Sequence, residues 1–398
     1  MKGLFLGIIL CVSGILNGQN LKKIIDKNDA ISLQNYVDTG GEFEELIPIL
    51  IHDNKIIHIH PFVYAVSKSD LDLVKVFVKN KSIFENFDTQ LSIAFVTSIP
   101  LKNTEITEFL LENNPNVNQI SEMFHNYNGL MAAVVSGDKN LFLKLKDKSD
   151  YKLISDEGNN LFHLIGDKKV SYNVTVLKYL ISKKDLNINL VNKYERTPLH
   201  YAARSGNSEL FFELIKYGAK PNKLKDLYTD AAIGGDVEVF KYVRQLIKTD
   251  PNWIAFPEMI DENEKTFYGL EYAIKNNNFE VTKIIFNEMF SEVKNVKHDD
   301  QIEIVTNILN SRQLENDQFW PLWEAIQFQN KVLFEFLVRS MVKFNSLQIE
   351  YTAYNSYVED DYTEIAEVLF TKFEYRSAKR RFGKDYVKNL YKELGISF

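Results

Sequence analysis

The stretch that decides the reading is Arg196-Thr-Pro-Leu-His-Tyr-Ala-Ala-Arg-Ser-Gly206. Thr197-Pro198 opens a helix, because proline's missing N–H falls where a first-turn amide has no intrahelical partner. Leu199, Ala202 and Ala203 give that helix a short face of small apolar side chains, and Gly206-Asn207 breaks it. In the next segment, Ser208 to Lys216, Leu210, Phe211, Leu214 and Ile215 recur at the spacing of an amphipathic helix. Gly218 then stands where a left-handed residue closes a helix. Lys193 to Asn222 is therefore one helix–break–helix unit.

The same beat runs outward in both directions. Polar or glycine-containing breaks fall at Asn28-Asp29, Ser69-Asp70, Gly137-Asp138, Gly206-Asn207, Gly235-Asp236, Asn277-Asn278 and Gln329-Asn330, each flanked by short apolar helical runs. Where neighbouring breaks lie far apart, a weaker unit fits between them, so the underlying period is roughly 34 residues, that of a two-helix repeat. Modules of this kind bury their apolar faces only against each other, which makes a regular recurrence hard to obtain by accident.

Lys193 to Asn222 resembles an ankyrin repeat. That family opens on T-P-L-H-x-A, and Thr197-Pro198-Leu199-His200-Tyr201-Ala202 matches every fixed place. Pro61 to Val66, Gly129 to Ala133, Asn160 to His163, Ala231 to Asp236, Gly269 to Ile274 and Pro321 to Ile326 match in part, and several units lack the glycine that caps the second helix. The resemblance implies an all-α, ankyrin-type helical-repeat solenoid of about nine or ten helix pairs over residues 19–370. Inserted loops are expected at Gly41–Ile57 and Thr249–Lys265, and an insertion at Met289–Phe319 that is either a long loop or an extra helix pair, Gln301 to Leu309 reading helical. It also implies a structural role for His200, whose ring would bond loop backbone. Family members bind other proteins through the concave side, at hairpin tips and exposed first-helix positions. Carried onto this sequence, those positions are Lys193, Tyr194 and Arg196 at one tip, Arg204 and Ser205 on its first helix, Asp226 and Tyr228 in the next unit, and Phe319 and Trp320 near the Pro321 unit.

The ends of the chain read differently. Lys2 followed by the apolar run Leu4–Leu16 has the form of a secretory signal peptide over residues 1–18, too short to span a bilayer. Cleavage is expected near Gly18, with lipidation at Cys11 as the alternative; either way the protein is expected in the periplasm or outside the cell. Cys11 is the single cysteine, so no disulfide is expected in the mature chain. Residues 371–398 are basic, and Phe382, Tyr386, Leu390 and Leu394 share one helical face, which suits a capping helix over the last repeat.

No catalytic constellation emerges. The formal charge of −7 argues against general nucleic-acid binding. A zinc site takes three or four ligands; His58 and His60, with His52 and Asp53 near in sequence, come without thiolates and are read as a polar loop. Gly234-Gly235 is followed by no Lys-Ser/Thr, so it is not a phosphate loop. Asn80-Lys-Ser82 and Asn173-Val-Thr175 are glycosylation sequons, relevant only on a eukaryotic secretory route. The sequence thus predicts an exported, monomeric, non-catalytic protein without metal or cofactor that binds another protein. The alternative is a periplasmic inhibitor or immunity-type protein that blocks one enzyme or toxin.

Overall fold

A computed structural model describes residues 20–50, 56–167, 173–249 and 268–292, with isolated positions at 325, 330, 332, 333, 336 and 337. The expected leader 1–18, the insertions beyond Thr249 and Glu292, Phe319, Trp320 and the basic tail 371–398 lie outside these residues. The described chain falls into two compact units, divided between Pro198 and Leu199.

Unit 1 is built of helix pairs. The first is α1 (20–26) with α2 (Ala30–Asp38), and then come α3 (Pro61–Ser67) with α4 (Leu71–Lys79), α5 (Phe87–Ser98) with α6 (Thr104–Glu112), α7 (Gly129–Ser136) with α8 (Lys139–Leu145), and α9 (Leu161–Gly166) with α10 (Asn173–Ser182). The packing is translational. First helices touch first helices, α3 on α5, α5 on α7 and α7 on α9, while second helices α2, α4 and α6 follow in parallel. Each first helix is buried on nearly every side: in α3, Pro61 through Val66 are all in the core. Second helices bury one stripe only, such as Leu73, Val74, Val76 and Phe77 of α4. A helix between two neighbours must be apolar all round, whereas one facing water needs a single apolar stripe.

Unit 2 repeats the scheme with α11 (Pro198–Arg204), α12 (Ser208–Lys216), α13 (Leu224–Gly234), α14 (Val237–Lys248), α15 (Tyr268–Lys275) and α16 (Phe279–Glu292). Here α13 packs on α15, and α12 on α14 and α14 on α16. Ala325, Leu333 and Leu337 are helical and buried, at places the Pro321 unit assigns to its two helices.

The turns between paired helices in the described residues share one local construction, complete in all but one. A residue in the left-handed region turns the chain, and an Asp or Asn after it caps the second helix. The turning residues are Asn28, Ser69, Lys102, Gly137, Gly206, Gly235 and Asn277, with φ between 53° and 80°. After six of them the carboxylate or amide oxygen of Asp29, Asp70, Asn103, Asp138, Asn207 or Asp236 accepts a backbone N–H of the new helix. Such caps satisfy amides that have no partner inside the helix.

One expectation needs correction. The insertion Gly41–Ile57 is not simply a loop: strands β1 (Ile47–Leu50) and β2 (Ile56–Ile59) pair antiparallel, Ile47 with Ile59, Pro48 with His58, Ile49 with Ile57 and Leu50 with Ile56. β-branched isoleucines favour a half-buried pleated ribbon. The root of the ribbon, Ile47 and Ile59, is buried beside a cluster in which Phe43 packs on Phe84 at 5.2 Å and Phe62 stacks on Phe77 at 5.1 Å.

Candidate functional site

In unit 1 the loops before the first helices form short fingers closed by backbone hydrogen bonds. The finger at 192–196 is built from Asn192. Its N–H donates to the Arg196 carbonyl at 3.0 Å, and its side-chain oxygen accepts the N–H groups of Tyr194 and Arg196, each at 2.9 Å. Asn192 is itself 6 % exposed, and its amide donates to the Asn159 side chain of the preceding finger at 2.7 Å. A second link is the Lys193 N–H on the Glu157 carbonyl at 2.9 Å. Buried amides with all their bonds made hold a loop in one geometry.

The finger is locked to the helices by histidine. The His163 ring, 0 % exposed in α9, lies with Nδ1 against its own cap Asn160 and Nε2 3.2 Å from the Arg196 carbonyl. In unit 2, His200 repeats the device: it is fully buried, with Nε2 3.2 Å from the Lys223 carbonyl of the next loop. The resemblance implied this structural role for His200.

This framework positions the expected tip residues. Lys193 and Tyr194 are exposed, Tyr194 at 60 %, and Arg196 is half-buried. The Tyr194 hydroxyl reaches Glu157 at 3.5 Å, and an Arg196 guanidinium nitrogen donates to the Tyr194 carbonyl at 3.4 Å. Glu157 in turn lies 3.9 Å from the imidazole of His125, which is also 3.4 Å from Asp156. The sequence reading missed His125, Asp156 and Glu157, which lie on fingers without the Thr-Pro-Leu-His signature. The signal that could have found them is spacing: Ser121, Ser155 and Asn192 occupy the same ladder position in their fingers.

In unit 2, Arg204 projects from the end of α11. Its side chain is 56 % exposed and pairs at 3.0 Å with Asp230, which is wholly buried on α13. Ser205 is half-buried, its hydroxyl donating to the Ala202 carbonyl at 3.2 Å. Tyr228 does not sit at a tip. It lies inside α13, 2 % exposed, with its ring 5.2 Å from Phe240 and under the Arg244 guanidinium at 5.4 Å. Asp226 is half-buried in the first turn of α13, where an acidic side chain suits the helix dipole. The helix starts at Leu224, so the residues expected to form a tip are already helical.

His60 belongs to the fold as well. It caps α3, its Nδ1 accepting the Phe62 N–H at 3.1 Å, and burial pushes its pKa down to about 4. His58 lies on exposed β2, and among the described residues no group of three or more His, Cys, Asp or Glu side chains is gathered to hold a metal ion. An open groove of about 650 Å³ lies among α2, α4 and α6, lined by Ile31, Gln34, Asp72, Lys75 and Phe109 among others. Among the described residues no helix is long and apolar enough to cross a membrane.

Residues 130–225, which hold the fingers at 155–159 and 192–196 and both histidine locks, match the family model for ankyrin repeats in three copies. The chain contains ankyrin repeats. Their helix–turn–helix construction continues on both sides of the matched residues, from α1 to α16. Among curated proteins, the chain is 29 % identical over 164 residues to the palmitoyltransferase AKR1 of Candida glabrata, an overlap of 38 % of this chain and 20 % of that protein. It is 26 % identical over 161 residues to the putative ankyrin repeat protein FPV244 of fowlpox virus, covering 39 % of this chain and 20 % of the relative. The match spans about a fifth of the length of each relative. Ankyrin repeats imply protein–protein interaction.

Proposed function

We propose that this chain is a non-catalytic ankyrin-repeat protein, exported to the periplasm or beyond the cell, that binds another protein through its finger tips and exposed first-helix positions. The observation that carries the binding role is the finger at 192–196. Tyr194 is 60 % exposed on a loop whose backbone is fixed by the buried amide of Asn192. A loop already ordered before contact gives up little conformational freedom on binding. Tyrosine and arginine are also the side chains that most often dominate interface energies. Arg204 and Ser205 extend the proposal to the first helix of unit 2. Export is supported by Lys2 and the apolar run Leu4–Leu16.

The test is affinity capture from cell envelope and culture medium with the full chain and with Tyr194→Ala/Arg196→Ala. Loss of a captured protein, with an unchanged melting temperature, is the expected outcome; undiminished capture removes this finger from the binding surface. Arg204→Gln is a second arm, read with a stability measurement, because it takes an ion-pair partner from the buried Asp230 carboxylate. A fusion of residues 1–30 to a periplasmic reporter tests export separately.

A further inference from the structure

Three successive fingers of unit 1 expose equivalent side chains. The N–H of Ser121 donates to the Tyr127 carbonyl at 3.0 Å, that of Ser155 to Asn159 at 2.9 Å and that of Asn192 to Arg196 at 3.0 Å. Ser121, Ser155 and Asn192 thus hold one ladder position, and all three are buried. Neighbours along an extended backbone point to opposite sides, so the residues before and after each of them face outward together. Before them stand Ile120, Ile154 and Val191, all exposed, Ile154 at 54 %. After them stand Glu122, Asp156 and Lys193, exposed as well. Asp156 keeps this exposure although it lies 3.4 Å from His125. The fingers therefore carry a row of β-branched aliphatic side chains beside a row of charges, two acidic and then one basic. Apolar surface rimmed by polar groups marks interaction sites.

The spacing of the row selects its occupant. Each finger runs out and back, and neighbouring fingers bond backbone to backbone. The Asp156 N–H donates to the His125 carbonyl at 3.0 Å, and the Lys193 N–H to the Glu157 carbonyl at 2.9 Å. Hydrogen-bonded backbones lie about 4.8 Å apart, so equivalent places on successive fingers recur about every 9.6 Å. Packed first helices such as α7 and α9 keep the same step, about 8–10 Å. An α-helix brings one face round every seven residues, a rise of about 10.5 Å. An extended strand does so every two residues, about 6.8 Å. Polyproline II comes to about 9.3 Å per turn, but it docks in aromatic-lined grooves, and this row is aliphatic. A helix also satisfies its own backbone, so it meets such a row through side chains alone.

We propose that this row seats one amphipathic α-helix of the protein partner. Aliphatic residues at i, i+7 and i+14 would lie on Ile120, Ile154 and Val191, with basic residues toward Glu122 and Asp156 and an acidic residue toward Lys193. This rests on the finger-tip binding role proposed above and adds the partner's shape and charge.

The probe is a displayed library of random peptides about 20 residues long, about 30 Å when helical, selected on the full chain. Selected peptides are expected to repeat aliphatic residues seven apart, with basic residues beside the middle and one end of the series and an acidic residue beside the other end. Ile154→Asp, which alters an already exposed side chain, should weaken them at least about tenfold, as for a central contact. A repeat selection on Lys193→Glu should exchange the acidic place for a basic one. Circular dichroism establishes that each variant is folded, and Ile154→Ser replaces Ile154→Asp if that variant is not. Aliphatic residues two or three apart, no enriched sequence, or peptides indifferent to Ile154→Asp overturn the proposal. So does a two-chain mass in sedimentation that Ile154→Asp reduces to one, since a second copy would then occupy the row. In the envelope capture, a partner lost with Tyr194→Ala/Arg196→Ala but kept by Ile154→Asp leaves the finger-tip reading standing and overturns the helix alone. A partner kept by both variants overturns the finger-tip reading itself.

Discussion

Both units turn the chain between paired helices with a left-handed residue and an Asx cap, but they fill the left-handed place differently. In unit 1 it holds Asn28, Ser69 and Lys102 before it first holds a glycine, at 137. In unit 2 the two turns between α11 and α14 use Gly206 and Gly235. Dihedral angle alone does not explain the difference, since side chains are tolerated at φ 53° to 57° in unit 1. Contact explains it. A Cβ on Gly206 would stand 2.4 Å from the Gly234 carbonyl oxygen, and one on Gly234 only 1.9 Å from the Ala203 carbonyl oxygen. Beside Gly235 the Asn278 amide donates to the Ala232 and Ile233 carbonyls at 2.7 and 2.8 Å, and a Cβ there would stand 2.1 Å from its oxygen. Around Gly206 and Gly234 backbone meets backbone, whereas the turns at Asn28, Ser69 and Lys102 in unit 1, like that at Asn277 in unit 2, carry a side chain.

The sharpest way to break this contrast is Gly234→Ala. In an open helix the change would gain about 1 kcal/mol of propensity. Here a carbonyl must move, and a loss above about 4 kcal/mol is expected in chemical denaturation, as for the severest single substitutions. A near-native midpoint would mean that α11 and α13 do not approach so closely.

If unit 1 rests on side-chain capping, its stability should titrate. His60 binds a proton less readily when folded, at about 4 against 6.5 for the free side chain. Between those values the unfolded chain holds more protons, so stability rises with pH there. The contribution is complete above about pH 6.5 and is lost on acidification toward pH 4, up to about 3 kcal/mol. Denaturation of His60→Asn, which keeps a capping oxygen, should show a flatter profile over that window. An unchanged slope would assign the acid sensitivity elsewhere. Asp26, paired with Lys22 and Lys68, does not titrate in this window: burial opposes its charge, but the hydrogen bonds it accepts hold its carboxyl well below the usual range.

A smaller effect tests the caps one by one. Asp70→Ala removes the acceptor for the Asp72 and Leu73 amides and should cost about 1 kcal/mol, read as a lower thermal midpoint. The smallest effect is a swap across the two kinds of turn. Ser69→Gly relieves a left-handed side chain and should gain about 0.5 kcal/mol, whereas Gly206→Ser should lose several times as much. Equal and opposite effects would mean that backbone angle, not contact, distinguishes the units.

Much of the architecture was legible because it is written in short-range chemistry. Asp or Asn at a cap, glycine at a close, and apolar residues three and four apart each act within one helical turn, so reading them needs no knowledge of neighbours. The breaks at Asn28, Ser69, Gly137, Gly206, Gly235 and Asn277 are turns for that reason. The candidate surface was less legible. Tyr194 and Arg196 lie beside a signature that fixes their loop, but Tyr228 follows no such signature, and its burial depends on Phe240 and Arg244 in the following helix. The ribbon Ile47–Ile59 read as a loop because its pairing is set by residues across the turn, not by neighbours along the chain.

What the sequence alone determined was therefore the beat of paired helices, the caps that end them and, through the family resemblance, the structural part of His200. Tertiary structure decided which aromatic rings face water, which glycines are obligatory and which finger side chains stand in one row. Capping and periodicity are fixed by groups a few ångströms apart along the chain, whereas exposure and close approach depend on what another repeat places against the same atoms.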